Sequence, residues 1–160
     1  MSILPEYYLD DKCKHCYFSR NTHSFHKLKE NNEAVYFYTC YSKNKETEGF
    51  TEHMRLELTK LKRKWIWIFD GLLFKFRYFY NISMAKGIIN ILSSYLCENL
   101  ETIIIINQNL SFRIMILFIW PYIPRFIKNK IIFDKNKNFS NLLELDKSLN
   151  ILETELYIYN

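Results

Sequence analysis

Three short runs, "WIWIF" at residues 65–69, "TIIIIN" at 102–107 and "KIIF" at 130–133, are apolar without alternation. A strand with one wet face alternates apolar and polar residues, whereas a strand buried on both faces reads as a continuous apolar run. Such strands belong to parallel sheets covered by helices. A fourth run, "AVYFYTCY" at 34–41, is β-branched and aromatic between the polar stretches "ENNE" and "SKNK", and reads as a further strand.

Helical patterns separate these runs. "TEHMRLELTKL" at 51–61 puts Met54, Leu58 and Leu61 at i, i+4 and i+7, one stripe of a helix. Ser83 can cap a helix over 84–97 with Ile88, Ile89, Leu92 and Leu96 along one side. A third helix is expected over 110–120, ended by Pro121, which biases Trp120 away from αR geometry. "SNLLELDKSLNILETEL", from Ser140, reads as a last helix. The order β-α-β-α-β-α-β-α predicts one α/β domain over 34–160 with a mostly parallel sheet. Residues 1–33 are polar without a sustained period, and are expected to form a separate, loop-rich N-terminal segment.

The third helix carries the question of function. "SFRIMILFIWPYI" at 111–123 has one charge among large apolar side chains, so it spans a membrane, fills a core or covers a greasy cargo. A spanning helix needs about 20 apolar residues. Asn107, Gln108, Asn109 and Ser111 interrupt the widest stretch, 102–123, and Arg113 falls near its middle. Arg there would cost about 2.5–3.5 kcal/mol on insertion scales. A span is therefore excluded, and contact with a membrane interface is retained.

Composition narrows the class further. With 49% apolar residues, 18% aromatics and only three Gly and three Pro in 160 residues, the chain is expected to fold as a single domain and not as a disordered or repetitive polymer. Its net charge of +5 suits an anionic membrane surface as well as nucleic acid. The start, "MSILPEYYLDDK", lacks a signal-peptide pattern, so a reduced, cytoplasmic setting is expected.

Laid end to end, residues 70–133 resemble the CRAL-TRIO family of lipid-binding and lipid-exchange domains. Asp70-Gly71 closes an apolar strand, as does the family's Asp-Gly turn. Tyr95 stands at the family's Tyr-Pro-Glu position, although here the sequence is Tyr95-Leu96-Cys97-Glu98, with the glutamate one place late. An apolar strand ends in Asn107, as in the family's Ile-Asn-x-Pro, with Asn109 in place of the proline. "WPYIPRFIKNKIIF" then parallels the family's proline, aromatic, short helix and Lys-Ile pattern from Pro121 to Lys130.

The resemblance implies a CRAL-TRIO-like α/β fold whose hydrophobic pocket, floored by the sheet, is closed by a gate helix and hinge over 109–128. Phe112, Met115, Leu117, Phe118, Trp120, Pro121 and Tyr122 would form gate and pocket. It also implies a lipid headgroup contact at Lys130, with Glu98 as its acidic partner. The ligand would be a phospholipid such as a phosphoinositide, exchanged between membranes without catalysis. The plainer reading makes the gate residues core, Lys130 a solvated lysine and Glu98 a helix-end glutamate. The competing function is a non-enzymatic module on the same fold, its pocket filled by side chains, docking on a protein or ribonucleoprotein.

Two further features bear on chemistry. "CKHCYFSRNTHSFH" offers Cys13, Cys16, His23 and His26, a C-x2-C followed by H-x2-H, and two thiolates with two imidazoles suit a structural zinc. The spacing differs from the long-loop finger, so sequence-specific DNA binding is not expected. An unliganded surface segment and a redox Cys-x-x-Cys are the alternatives. "KLKRK" at 60–64 reads as a solvated helix end or a phosphate contact, and His53 as a surface residue. No Gly-rich phosphate loop or nucleophile elbow is present, so no enzymatic activity is expected.

Overall fold

A computed structural model describes residues 13, 23–43, 49–75, 77–78 and 82–134. Five strands form one sheet: β1 (His26–Glu30), β2 (Val35–Cys40), β3 (Trp65–Asp70), β4 (Leu100–Ile106) and β5 (Ile131–Phe133), side by side in chain order. β2 to β5 run parallel, as the apolar runs predict, and β1 pairs antiparallel with β2. β1 lies in the segment expected to be loop-rich. Its sequence, HKLKE, has no apolar run, because an edge strand is held by its ladder to one neighbour and tolerates exposed charges such as Lys27, Lys29 and Glu30. The Asn31 side chain accepts hydrogen bonds from the backbone of Glu33 and Ala34, closing the turn into β2.

α1 (Phe50–Thr59) joins β2 to β3, α2 (Ile82–Leu92) joins β3 to β4, and α3 (Leu110–Ile119) with α4 (Arg125–Lys128) joins β4 to β5. When parallel neighbours follow one another in chain order, successive right-handed crossovers fall on the same side of the sheet. The core obeys that rule. Val35, Phe37, Trp65, Trp67, Ile103 and Ile105 on one sheet face meet Phe50, Met54 and Leu58 of α1, Ile91 of α2 and Phe112 of α3. The alternate strand residues, among them Tyr38, Ile68, Ile104 and Ile106, form a second buried cluster without a described helix residue. Both faces are therefore buried at β2, β3 and β4, and the described helices occupy one of them; β5 departs from the expectation, since Ile132 on its second face is exposed.

The helix boundaries depart from expectation in three places. α2 contains Ser83 instead of being capped by it, and it ends at Leu92. There the hydroxyls of Ser93 and Ser94 bond back to the carbonyls of Ile89 and Ile91, competing with the helical ladder, and Tyr95–Cys97 forms a separate 3-10 turn. α3 stops at Ile119, but Trp120 keeps αR geometry. Pro121 enters a new 3-10 turn at a position where no N–H is needed, which overrides its bias on Trp120. The helix expected from Ser140 lies outside the described residues.

Candidate functional site

The start of α3 is fixed by groups brought from three strands. Asp70, buried at the end of β3, accepts hydrogen bonds from the Tyr38 hydroxyl at 2.6 Å, the Asn107 side-chain amide at 3.0 Å and the Leu72 backbone N–H at 2.9 Å. Three donors satisfy a buried carboxylate. Asn107 has φ 51°, a left-handed conformation that Asn adopts more readily than most residues, and it turns the chain out of β4. Two residues on, the Asn109 carbonyl oxygen accepts from the Phe112 N–H at 2.9 Å, capping α3, while its amide donates to the Phe74 carbonyl at 2.8 Å. Asn109, standing where the resemblance expects a proline, thus supplies a side-chain cap instead. A Cβ on Gly71 would lie 3.0 Å from the Asn107 carbonyl and 3.2 Å from Phe112 Cγ, so this turn needs a glycine for room. Motifs that stand apart in sequence form one mount for α3.

α3 is apolar all round, and the structure sorts its side chains. Phe112 is fully buried, its ring 5.3 Å from that of Phe69 and 5.4 Å from that of Phe74. Met115, Ile116, Ile119 and Trp120 are half-buried against the core. Leu117, Phe118 and Tyr122 are 72%, 62% and 73% exposed, and Leu110, Pro121 and Phe126 are exposed as well. The seven expected gate residues therefore divide into an inner set, Phe112, Met115 and Trp120, and an outer set, Leu117, Phe118, Pro121 and Tyr122. Sequence reasoning missed Leu110 and Phe126 in the outer set.

Charge accompanies the exposed apolar surface. Residues 102–133 hold four cationic side chains, Arg113, Arg125, Lys128 and Lys130, and no acidic one. Arg113 and Arg125 are exposed, and Lys128 stands over the Trp120 ring at 5.5 Å from its centroid.

Lys130 and Glu98 lie just before β5 and β4, at the opposite end of the sheet from the Asp70 mount. Lys130 is half-buried and its ammonium donates to the Leu100 carbonyl. An ammonium has three N–H donors, so this bond does not exhaust it. Glu98 is exposed after the 3-10 turn, with its backbone N–H on the Tyr95 carbonyl. Cys97 beside it is buried, and burial pushes its thiol up to about 12 although the nearby charge of Lys130 pulls the other way. It stays a protonated core thiol at neutral pH.

At the N-terminal side, the structure brings together Cys13 and His23, both buried, with Sγ 3.4 Å from Nδ1. Cys16 lies outside the described residues. His26 is in β1 with its ring 5.5 Å from that of Tyr38, a member of the second cluster, whereas its neighbour Phe25 joins the main core. Alternation along the strand thus sends His26 to the other side of the sheet. His53 of α1 takes the place next to His23, ring centroids 5.3 Å apart. It is half-buried and donates from Nε2 to the Phe25 carbonyl at 2.8 Å, so it is not the surface residue expected. In "KLKRK", Arg63 is tied to Glu30 and to the carbonyls of Asn31 and Asn32, and Lys60 pairs with Glu57.

The family model of the CRAL/TRIO domain matches residues 3–156. Comparison with curated proteins gives no match.

Proposed function

The chain belongs to the CRAL/TRIO family of domains that bind and transfer hydrophobic ligands, and from that premise we propose that its ligand is a phospholipid, phosphoinositides included, exchanged at the cytoplasmic surface of a membrane. α3 and α4 act as the gate. The observation that carries this reading is the set of exposed apolar side chains Leu117, Phe118, Tyr122 and Phe126, in a stretch, 102–133, whose charged residues are all cationic. Such a surface is costly in water. Each large side chain gains about 1.5–3 kcal/mol on full burial, and each cation near an anionic leaflet adds about 1 kcal/mol. Among the described residues no helix is long and apolar enough to cross a membrane, so contact through these helices is interfacial.

Opening requires α3 to leave the core. Phe112 is the one residue of α3 that is fully buried, so the membrane contacts have one main anchor to offset. With the gate open, acyl chains replace Phe112 and the half-buried Met115 and Trp120 against the sheet. Lys130 supplies a point charge for the headgroup phosphate, and Glu98 an acceptor for sugar hydroxyls. No bond is made or broken in this cycle.

The test is native mass spectrometry of the purified chain, then lipid uptake from vesicles of phosphatidylcholine with and without phosphatidylinositol. A stoichiometric phospholipid is expected, and Lys130→Glu is expected to shift retention away from phosphatidylinositol. A chain that neither co-purifies with lipid nor takes it up from either vesicle would overturn the proposal.

A further inference from the structure

We propose that Cys13, His23 and His53 bind a zinc ion that ties the N-terminal segment to α1. One ligand atom from each residue lies within 4.8 Å of the other two. Zinc bonds of about 2.3 Å to sulfur and 2.0–2.1 Å to nitrogen, at tetrahedral angles, place ligand atoms about 3.3–3.6 Å apart. Cys13 Sγ and His23 Nδ1, at 3.4 Å, already stand at that separation. The full set spans at most 4.8 Å, so binding would draw the three ligand atoms together by roughly 1 Å.

The second observation is the hydrogen bond of His53. A carbonyl only accepts, so the bond to Phe25 places the proton on Nε2 and leaves Nδ1 with the lone pair. Metal-binding histidines usually show this arrangement, one nitrogen donating to a carbonyl or carboxylate while the other takes the metal. A thiolate with two imidazoles favours zinc over magnesium or calcium, which take oxygen. On binding, zinc accepts a lone pair from each imidazole and from the Cys13 sulfur, whose proton leaves to solvent.

Burial of Cys13 and His23 shields the ion, and with three protein ligands the fourth tetrahedral position falls to an exchangeable ligand such as water. The ion would join three parts of the chain: the N-terminal segment through Cys13, the stretch leading to β1 through His23, and α1 through His53. His26, next along the sequence, faces the other side of the sheet and takes no part.

The experiment strips the full chain with a chelator and titrates it with cobalt(II) alone, then with zinc(II) in competition. One cobalt per chain is expected, with thiolate charge-transfer absorption and shifted imidazole proton resonances from His23 and His53. Cys13→Ser should abolish the charge-transfer band, His53→Gln should weaken binding tenfold or more, and His26→Gln should leave it unchanged. Absence of stoichiometric cobalt, absence of the thiolate band, or shifted resonances from His26 in place of His53 would each overturn the proposal. These readouts come from the unmutated chain, so they decide it even if a variant fails to fold.

Discussion

α1 and α3 are each ten residues long and pack on the same face of the sheet, yet they use apolar residues in opposite ways. α1 carries Glu52, Arg55 and Glu57 and fully buries Phe50, Met54 and Leu58. α3 has the single charge Arg113 and fully buries only Phe112. The more polar helix is thus the better anchored one. Apolar content does not measure a helix's contribution to the core, because only side chains directed at the sheet are removed from water. What α3 exposes beyond its anchor is the surface proposed to meet lipid.

The comparison breaks most readily at the anchors. Phe112→Ala is expected to cost about 3–5 kcal/mol in denaturant unfolding, and Met54→Ala about 2–5 kcal/mol. A cost under about 1 kcal/mol for Phe112→Ala would mean that α3 has no real anchor, outside the range for buried Phe. Next in size, Gly71→Ala should lose about 1–3 kcal/mol, since the added methyl meets a carbonyl and the Phe112 ring. Its effect should appear as changed fluorescence of Trp120 if the strain is relieved by moving α3.

Asn109→Ala removes the cap and should cost about 1 kcal/mol, read from the denaturation midpoint. The smallest change in stability is expected for Leu117→Ser with Phe118→Ser, within about 0.5 kcal/mol for each. The same double variant should lose at least tenfold in sedimentation with anionic vesicles. If it unfolds the chain as readily as Phe112→Ala does, the outer row is core and the division of α3 into two faces is wrong.

Much of the fold could be read from the residues. The unbroken runs at β3 and β4 announced strands buried on both faces, and they are; the run at β5 announced the same, but Ile132 on its second face is 50% exposed, because this short strand is described with a neighbour on one side only. β1 could not be read that way, because HKLKE owes its conformation to pairing with β2 and not to a pattern of its own. Within the candidate site, Asp70, Gly71 and Asn107 were visible as separate signals. Their joining depends on the register of β3 against β4, which sets Asp70 beside Ile106.

The two histidines show the same limit. His26 is near Cys13 and Cys16 in sequence and looked like their companion, but parity along β1 turns it away. His53 comes from a different element, and no spacing rule links it to Cys13.

The sequence by itself determined the α/β class, the parallel strands and the position of an unusually apolar helix, since each is written in local periodicity. Only the tertiary structure decided which side of α3 is wet, that Asp70 and Asn109 mount it, and which histidine meets Cys13. Those outcomes depend on how elements distant in sequence pack together, and a helix apolar on every side has no pattern from which its direction could be read.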